Sequence, residues 1–305
     1  MNKLFSYGAL GLILCLSACT CNNKKSAEAP GETKARGELK QSPLEEYKVF
    51  MRTLDTFHIE YSAIAAEKFS NTFKEGDSTA ADSAYILFAA FHNRLLDHLL
   101  NAHYKDGSNS SAFSYSGDSI VAKTPKAKRY AATLRDNGFT LGMAEGETYV
   151  KQDFDFIAKH FYKAVSPTMR AYLEQVRKEN KEGFLSDAAM VITPTALAER
   201  IIFWDEFIGQ HPSFVFNETV QAKQREYRTF LLEGVDNTPL FNHSSKQLSS
   251  NYEEAYQYVL SKYPISKLAR MVGPYYQALQ MNLHNQAQQV LKQYRKEGMI
   301  LDFEQ

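Results

Sequence analysis

The chain of 305 residues balances 35 basic against 35 acidic side chains, so its overall charge steers it neither to nucleic acid nor to an anionic membrane. Hydrophobic residues at 44% and aromatics at 13% give it the apolar content of a folded protein and exclude a disordered one. Only 15 glycines and 9 prolines punctuate this length, a balance that favours helices over a turn-rich β fold.

At the N-terminus Lys3 precedes an apolar run from Leu4 to Leu16, and Leu16-Ser17-Ala18 leads into Cys19. A membrane-spanning helix needs about 20 apolar residues. This run is shorter, is interrupted by Ser6 and Gly8, and is followed by polar sequence. A basic start, a short apolar stretch and small residues are the parts of a secretory signal. With a cysteine directly after Leu-Ser-Ala, the stretch resembles a bacterial lipoprotein signal peptide with its lipobox. The resemblance covers about the first twenty residues. It implies removal of residues 1–18, lipidation of Cys19, and a body held at the bacterial cell envelope. Two or more acyl chains anchor a protein firmly where one does so marginally. In some lineages of that family an acidic run after the cysteine marks surface exposure. Here Asn22-Asn23-Lys24-Lys25 follows, so a periplasm-facing position at the outer membrane is expected.

The three cysteines then have separate fates. Cys15 leaves with the signal, Cys19 takes the lipid, and Cys21 stays alone, so no disulfide is expected in the folded part. Residues 20–43 are small, polar and charged, with Pro30, Gly31, Gly37 and Pro43, which is the composition of a flexible tether.

From Leu44 the pattern turns helical. Leu44, Tyr47, Met51, Leu54, His58, Tyr61 and Ala65 recur at alternating spacings of three and four, predicting one helix to about Phe73. Gly76-Asp77-Ser78 breaks it. A second helix follows from about Thr79 to Tyr104, with Ala84, Phe88, Phe91, Leu95 and Leu99 on its apolar face. The short break predicts an antiparallel helical hairpin over 44–104. Residues 105–125 read as a loop, a subdomain boundary or lid rich in Gly and Ser. Between Phe139 and Lys151 alternation around Ala144-Glu145-Gly146-Glu147 predicts a small β-hairpin. Helices dominate the rest of a 126–305 domain. Ser166-Pro167 and Thr193-Pro194 are N-terminal signatures, Asn217 a further candidate cap, and Gly234 a stop. Asp236-Asn237-Thr238 reads as a polar turn with too few oxygens for calcium. Tyr252, Tyr256, Val259, Leu260 and Tyr263 share one helix face and are read as core. The expected fold is mostly α: a multi-helix bundle or irregular helical array, with 44–305 either divided near the 105–125 loop or one domain.

Enzyme signatures are missing from the text of the sequence: no G-x-S-x-G, S-x-x-K, H-E-x-x-H, phosphate-binding loop or G-x-G-x-x-G occurs. Nor is there the G-x-H-x-x-E of imelysin-like envelope bundles. The acids Glu145, Glu147, Asp153 and Asp155 could pair for acid–base work, but a solvated turn leading into an acid-rich helix start explains them as well. One constellation comes from helix phase. A turn near Gly76 puts position 58 opposite position 94, which brings His58 towards His92, with Asp55 one turn from His58. Two imidazoles and a carboxylate suit zinc or iron. The competing reading, which we expect, is a pair of hydrogen-bonded core histidines without metal.

The functional expectation is a membrane-anchored helical binding or scaffolding module with an unidentified envelope protein or glycan as ligand. No nucleic acid and no cofactor are expected. The alternative is a motif-poor envelope enzyme acting on cell-wall or glycan material.

Overall fold

The computed structural model describes residues 41–105, 112–116, 119–144, 146–245 and 247–302. The lipobox, Cys19 and most of the tether lie outside the described residues. The described chain is mostly α, with eleven helices and four two-stranded sheets. It forms two compact units, one of residues up to 141 together with 149–166, the other of 142–148 together with 167 onward. The division therefore falls beside the Ser166-Pro167 helix start and at the tip of the predicted hairpin; the reading from sequence allowed either a division near 105–125 or one domain over 44–305.

The first unit contains α1 (Pro43–Arg52), α2 (Glu60–Thr72), α3 (Ser78–Lys105), β1 (Phe113–Ser116), β2 (Ser119–Ala122), α4 (Pro125–Asp136), the first half of β3 (Phe139–Ala144), most of β4 (Glu147–Gln152), and α5 (Phe154–Phe161). The single helix predicted over 44–73 is two helices. Asp55 breaks it: its carboxylate accepts the Phe57 N–H at 2.8 Å, offering the backbone a local alternative to the helical ladder. The antiparallel register with α3 survives the break. Ser62 meets His92 and Thr56 meets His98, both pairs centred on position 77, one residue from the predicted turn centre. The 105–125 segment is not a plain loop either, since β1 and β2 pair within it, Phe113 opposite Ala122 and Ser116 opposite Ser119.

Tyr47, Phe69, Phe88 and Phe161 fill one half of this unit's interior, with Phe69 and Phe161 4.4 Å apart centroid to centroid. The Tyr47 hydroxyl, buried with them, donates to the Ala65 carbonyl at 3.2 Å, so the ring brings no orphaned donor inside. Phe91, Leu95, Leu134, Phe139 and Val150 fill the other half and hold the β3–β4 hairpin against α3 and α4.

The second unit contains α6 (Pro167–Glu182), β5 (Leu185–Ser186), β6 (Ala189–Met190), α7 (Pro194–Gln210), α8 (Asn217–Glu233), β7 (Gly234–Val235), β8 (Thr238–Pro239), α9 (Ser250–Lys262), α10 (Lys267–Gln280) and α11 (His284–Lys296). Thr193 caps α7 as predicted, accepting from the Ala196 N–H at 3.1 Å with Pro194 in the first turn. Asn217 does not cap α8. It is the first helical residue, and its amide donates back to the His211 and Pro212 carbonyls. The tyrosine stripe is core at Tyr252, Tyr256 and Val259, with Leu260 and Tyr263 partly buried at its end: Tyr252 and Tyr256 are inaccessible, their hydroxyls donating to the Thr238 and Leu231 carbonyls at 3.0 and 2.9 Å. The last helical stretch is interrupted at Met281–Leu283, where Asn282 adopts a positive φ of 55°.

A junction recurs that no sequence period announces. The chain leaves α4, α6 and α8 through a glycine of positive φ, Gly138, Gly183 and Gly234, each at or within two residues of the start of a two-stranded hairpin. At two of them the missing side chain is required. A Cβ on Gly138 would stand 2.6 Å from the Phe156 ring, and one on Gly234 2.5 Å from the Leu240 nitrogen.

Candidate functional site

The constellation predicted from helix phase does not assemble as one site. His58 lies in the 53–59 connection, exposed, where its Nδ1–H donates to Asp55 at 2.9 Å. The hydrogen bond to Asp55 raises the imidazole pKa above its ordinary value. The same bond, with the Phe57 N–H, lowers that of Asp55. His92 is elsewhere in character: 1% exposed and sandwiched between Phe88 and Phe139, 5.1 and 4.1 Å centroid to centroid. Its Nε2 lies 3.1 Å from the Gly138 carbonyl, which can only accept, so Nε2 carries the proton. The Ser62 hydroxyl then donates to Nδ1 at 2.9 Å. Both nitrogens are engaged, and burial holds the pKa down at about 3, so the ring is neutral. Among the described residues no group of three or more His, Cys, Asp or Glu side chains is placed to hold a metal ion. Of the acidic run around the β3–β4 hairpin, Asp153 caps α5 by accepting the Asp155 N–H at 2.9 Å.

Concavity is found in the second unit, at the junction after α8. A cleft of about 670 Å³ is lined by Glu233, Val235, Asp236, Leu240, Phe241 and His284, among others. Each wall follows from local structure. Gly234 ends α8 and turns the chain into β7–β8, so Glu233 and Asp236 flank the turn on the same side as the cleft. Phe241 pairs with Leu248 across a loop closed by the Asn242 N–H to Gln247 carbonyl bond at 2.9 Å. His284, at the first turn of α11, sets its ring edge-on to Phe241.

Glu233 is the distinctive group. One carboxylate oxygen accepts from Arg295 at 2.6 Å, while the other is buried without a hydrogen-bond partner. Burial pushes its carboxyl up, and the Arg295 guanidinium pulls it part of the way back. The polar turn read as a poor calcium site has a different task. The Asn237 N–H donates to the Ala188 carbonyl at 3.0 Å and the Asn237 amide to the Asp187 carbonyl at 2.6 Å, while Thr238 Oγ1 accepts from Met190 N–H at 3.0 Å. These bonds staple the tip of β5–β6, where Asp187 and Ala188 both hold positive φ, to the hairpin that walls the cleft.

Behind the cleft unit's surface sits a group that sequence reasoning missed. Glu179 on α6 is 5% exposed and accepts four hydrogen bonds: Trp204 Nε1 (2.6 Å) and Gln175 Nε2 (2.9 Å) on one oxygen, Tyr227 hydroxyl (2.8 Å) and Lys223 Nζ (3.1 Å) on the other. Next to it Arg200, 2% exposed, donates to Glu182 and to the Gly183 carbonyl, closing the C-terminus of α6. The signal was present as polar residues on otherwise apolar faces, such as Arg200 between Leu197 and Ile201. Nothing in the text paired them. No protein-family model, no characterised protein sequence and no solved structure shows significant similarity to the chain.

Proposed function

We propose that the protein is a lipid-anchored protein of the bacterial cell envelope, acylated on Cys19, whose helical body is a binding module with its ligand seat in the α8–α11 cleft. The anchor rests on Leu16-Ser17-Ala18-Cys19 behind its short apolar run. The observation that carries the binding reading is the cleft. Its size falls within the range of ligand sites, and its lining sets the apolar Val235, Leu240 and Phe241 beside the polar Glu233, Asp236 and His284. The hairpin that walls the cleft is held to the β5–β6 tip by three hydrogen bonds, which lowers the ordering cost of binding.

Two measurements test this. Replacing Cys19 with Ala should abolish incorporation of labelled acyl chains and block signal cleavage; normal processing of that variant removes the anchor. For the cleft, wild type and Val235→Trp serve as baits against detergent-solubilised envelope. A ligand retained by wild type and lost by the filled variant supports the seat, and identical capture by both removes it.

A second reading has its own observation. Glu233 and Asp236 line one cleft, and burial raises the Glu233 carboxyl, so two carboxyl groups are present there for acid–base chemistry. Cleavage of cell-wall glycan by wild type, lost in Glu233→Gln, would favour the enzyme over the binding module.

A further inference from the structure

We propose that the exposed cations of α4 dock the first unit onto an anionic bilayer surface, a second membrane contact that acts beside the lipid anchor and rests on the anchored reading above. Overall neutrality hides the feature. Lys123, Lys126, Lys128, Arg129 and Arg135 fall within a short stretch that holds no acidic residue. In the structure Ala127 and Leu134, seven residues apart and both buried, define the inward side of α4. At 100° per residue, Lys126, Arg129, Lys128 and Arg135 occupy the remaining arc, and all four are exposed. Lys123, at the end of β2, is exposed as well, beside the 42% exposed Val121.

None of these five cations has a carboxylate within ion-pair distance among the described residues, in contrast to Lys48, Lys223, Arg228 and Arg295, each of which does. Asp136, at the last position of α4, is the one acid in the helix. Among the described residues the patch is therefore charge without an ion-pair partner, with an apolar side chain at its border. That is the chemistry of an anionic headgroup layer, where basic side chains near the surface each favour partition about fivefold and an apolar neighbour can enter the interface.

A bilayer is favoured over a soluble polyanion by proximity. Residues 20–43, read as coil, would span roughly 25–30 Å on average, so lipidation at Cys19 holds this unit within reach of headgroups at all times. Tethering of this kind turns weak surface attraction into an intramolecular event.

The experiment uses the full chain carrying Cys19→Ala, which can hold no acyl group, sedimented with vesicles of phosphatidylcholine alone or with phosphatidylglycerol added. Any contribution of the N-terminal apolar segment appears with both vesicles. The increment due to phosphatidylglycerol should vanish at high salt, and should fall about 100-fold at low salt in Lys126→Gln/Lys128→Gln/Arg129→Gln. All three positions are exposed, and an unchanged circular dichroism melt verifies the fold. No increment, or one that survives the triple substitution, overturns the proposal. Dextran sulfate bound more tightly than the vesicles through the same residues would also overturn it in favour of a soluble polyanion. Acyl labelling of the wild-type chain reports on the anchor alone. Lost label with the increment intact therefore strikes the anchor and leaves α4 as the membrane contact.

Discussion

In the first unit the buried polar centre is a neutral imidazole; in the second it is a carboxylate. His92 joins α3 to α2 through Ser62 and to the start of β3 through Gly138, and avoids the cost of a buried charge by staying unprotonated. Glu179 joins α6 to α7 and α8 through Trp204, Tyr227 and Lys223, and offsets its desolvation by filling every acceptor site on both oxygens. Both knit three elements at one point, and they differ in what breaks them. A neutral hub fails when a proton arrives. An ionic hub fails when its centre is removed and several donors are stranded at once.

The largest effect should come from the ionic hub. Glu179→Ala leaves the Trp204, Tyr227 and Gln175 donors and the Lys223 ammonium without their acceptor, a loss of about 3–5 kcal/mol in the second unit. Denaturant unfolding of the full chain, followed by Trp204 fluorescence, reads that unit directly. A loss below about 1 kcal/mol would mean the network is decorative, and the contrast between the units would collapse.

Acid should act on the first unit through His92. The unfolded chain binds a proton at this residue near pH 6.5, and the folded state does so only near pH 3. Between those values the unfolded state holds more protons, so stability is intact above the window and falls as pH drops through it. The loss from this group is at most on the order of 5 kcal/mol. His92→Phe gives up two hydrogen bonds at neutral pH but should flatten the profile in this window. An unaltered acid slope in the variant would show that the titration belongs elsewhere.

The two units also carry matched helix caps. Thr124 and Thr193 each precede a proline and each accept an N–H at 3.1 Å, from Ala127 and Ala196. Each Thr→Ala substitution should cost about 1 kcal/mol, seen in the melt of its own unit only. Effects of very different size would show that packing, not capping, sets these helix starts.

The smallest effect is expected at the exposed pair. Asp55→Asn should bring the His58 pKa down towards its ordinary value, because the bond that raises it is lost, while thermal stability stays unchanged. Imidazole resonances followed through a pH titration check the first point. A large fall in melting temperature would mean that the 53–59 connection is structurally critical.

Several features were legible because local chemistry decides them. Thr193-Pro194 starts a helix wherever it sits, Gly234 ends one, the alternation around Gly146 makes the β3–β4 hairpin, and the tyrosine spacing on α9 marks an inward face. The break after Arg52 was hidden because the apolar spacing runs through it unbroken. A side chain, Asp55, outcompetes the ladder there. The hairpins β5–β6 and β7–β8 were hidden because strands of two residues carry no period. The candidate site needed the fold most of all. Register brought His92 to Ser62, while the break at Asp55 left His58 exposed in the 53–59 connection. Glu179 meets Trp204 and Tyr227 from 25 and 48 residues away, and Glu233 meets Arg295 from 62. A sequence determines helix faces and caps because those depend on neighbours within a turn. Which buried polar group finds which partner is a property of packing, and only the tertiary structure decides it.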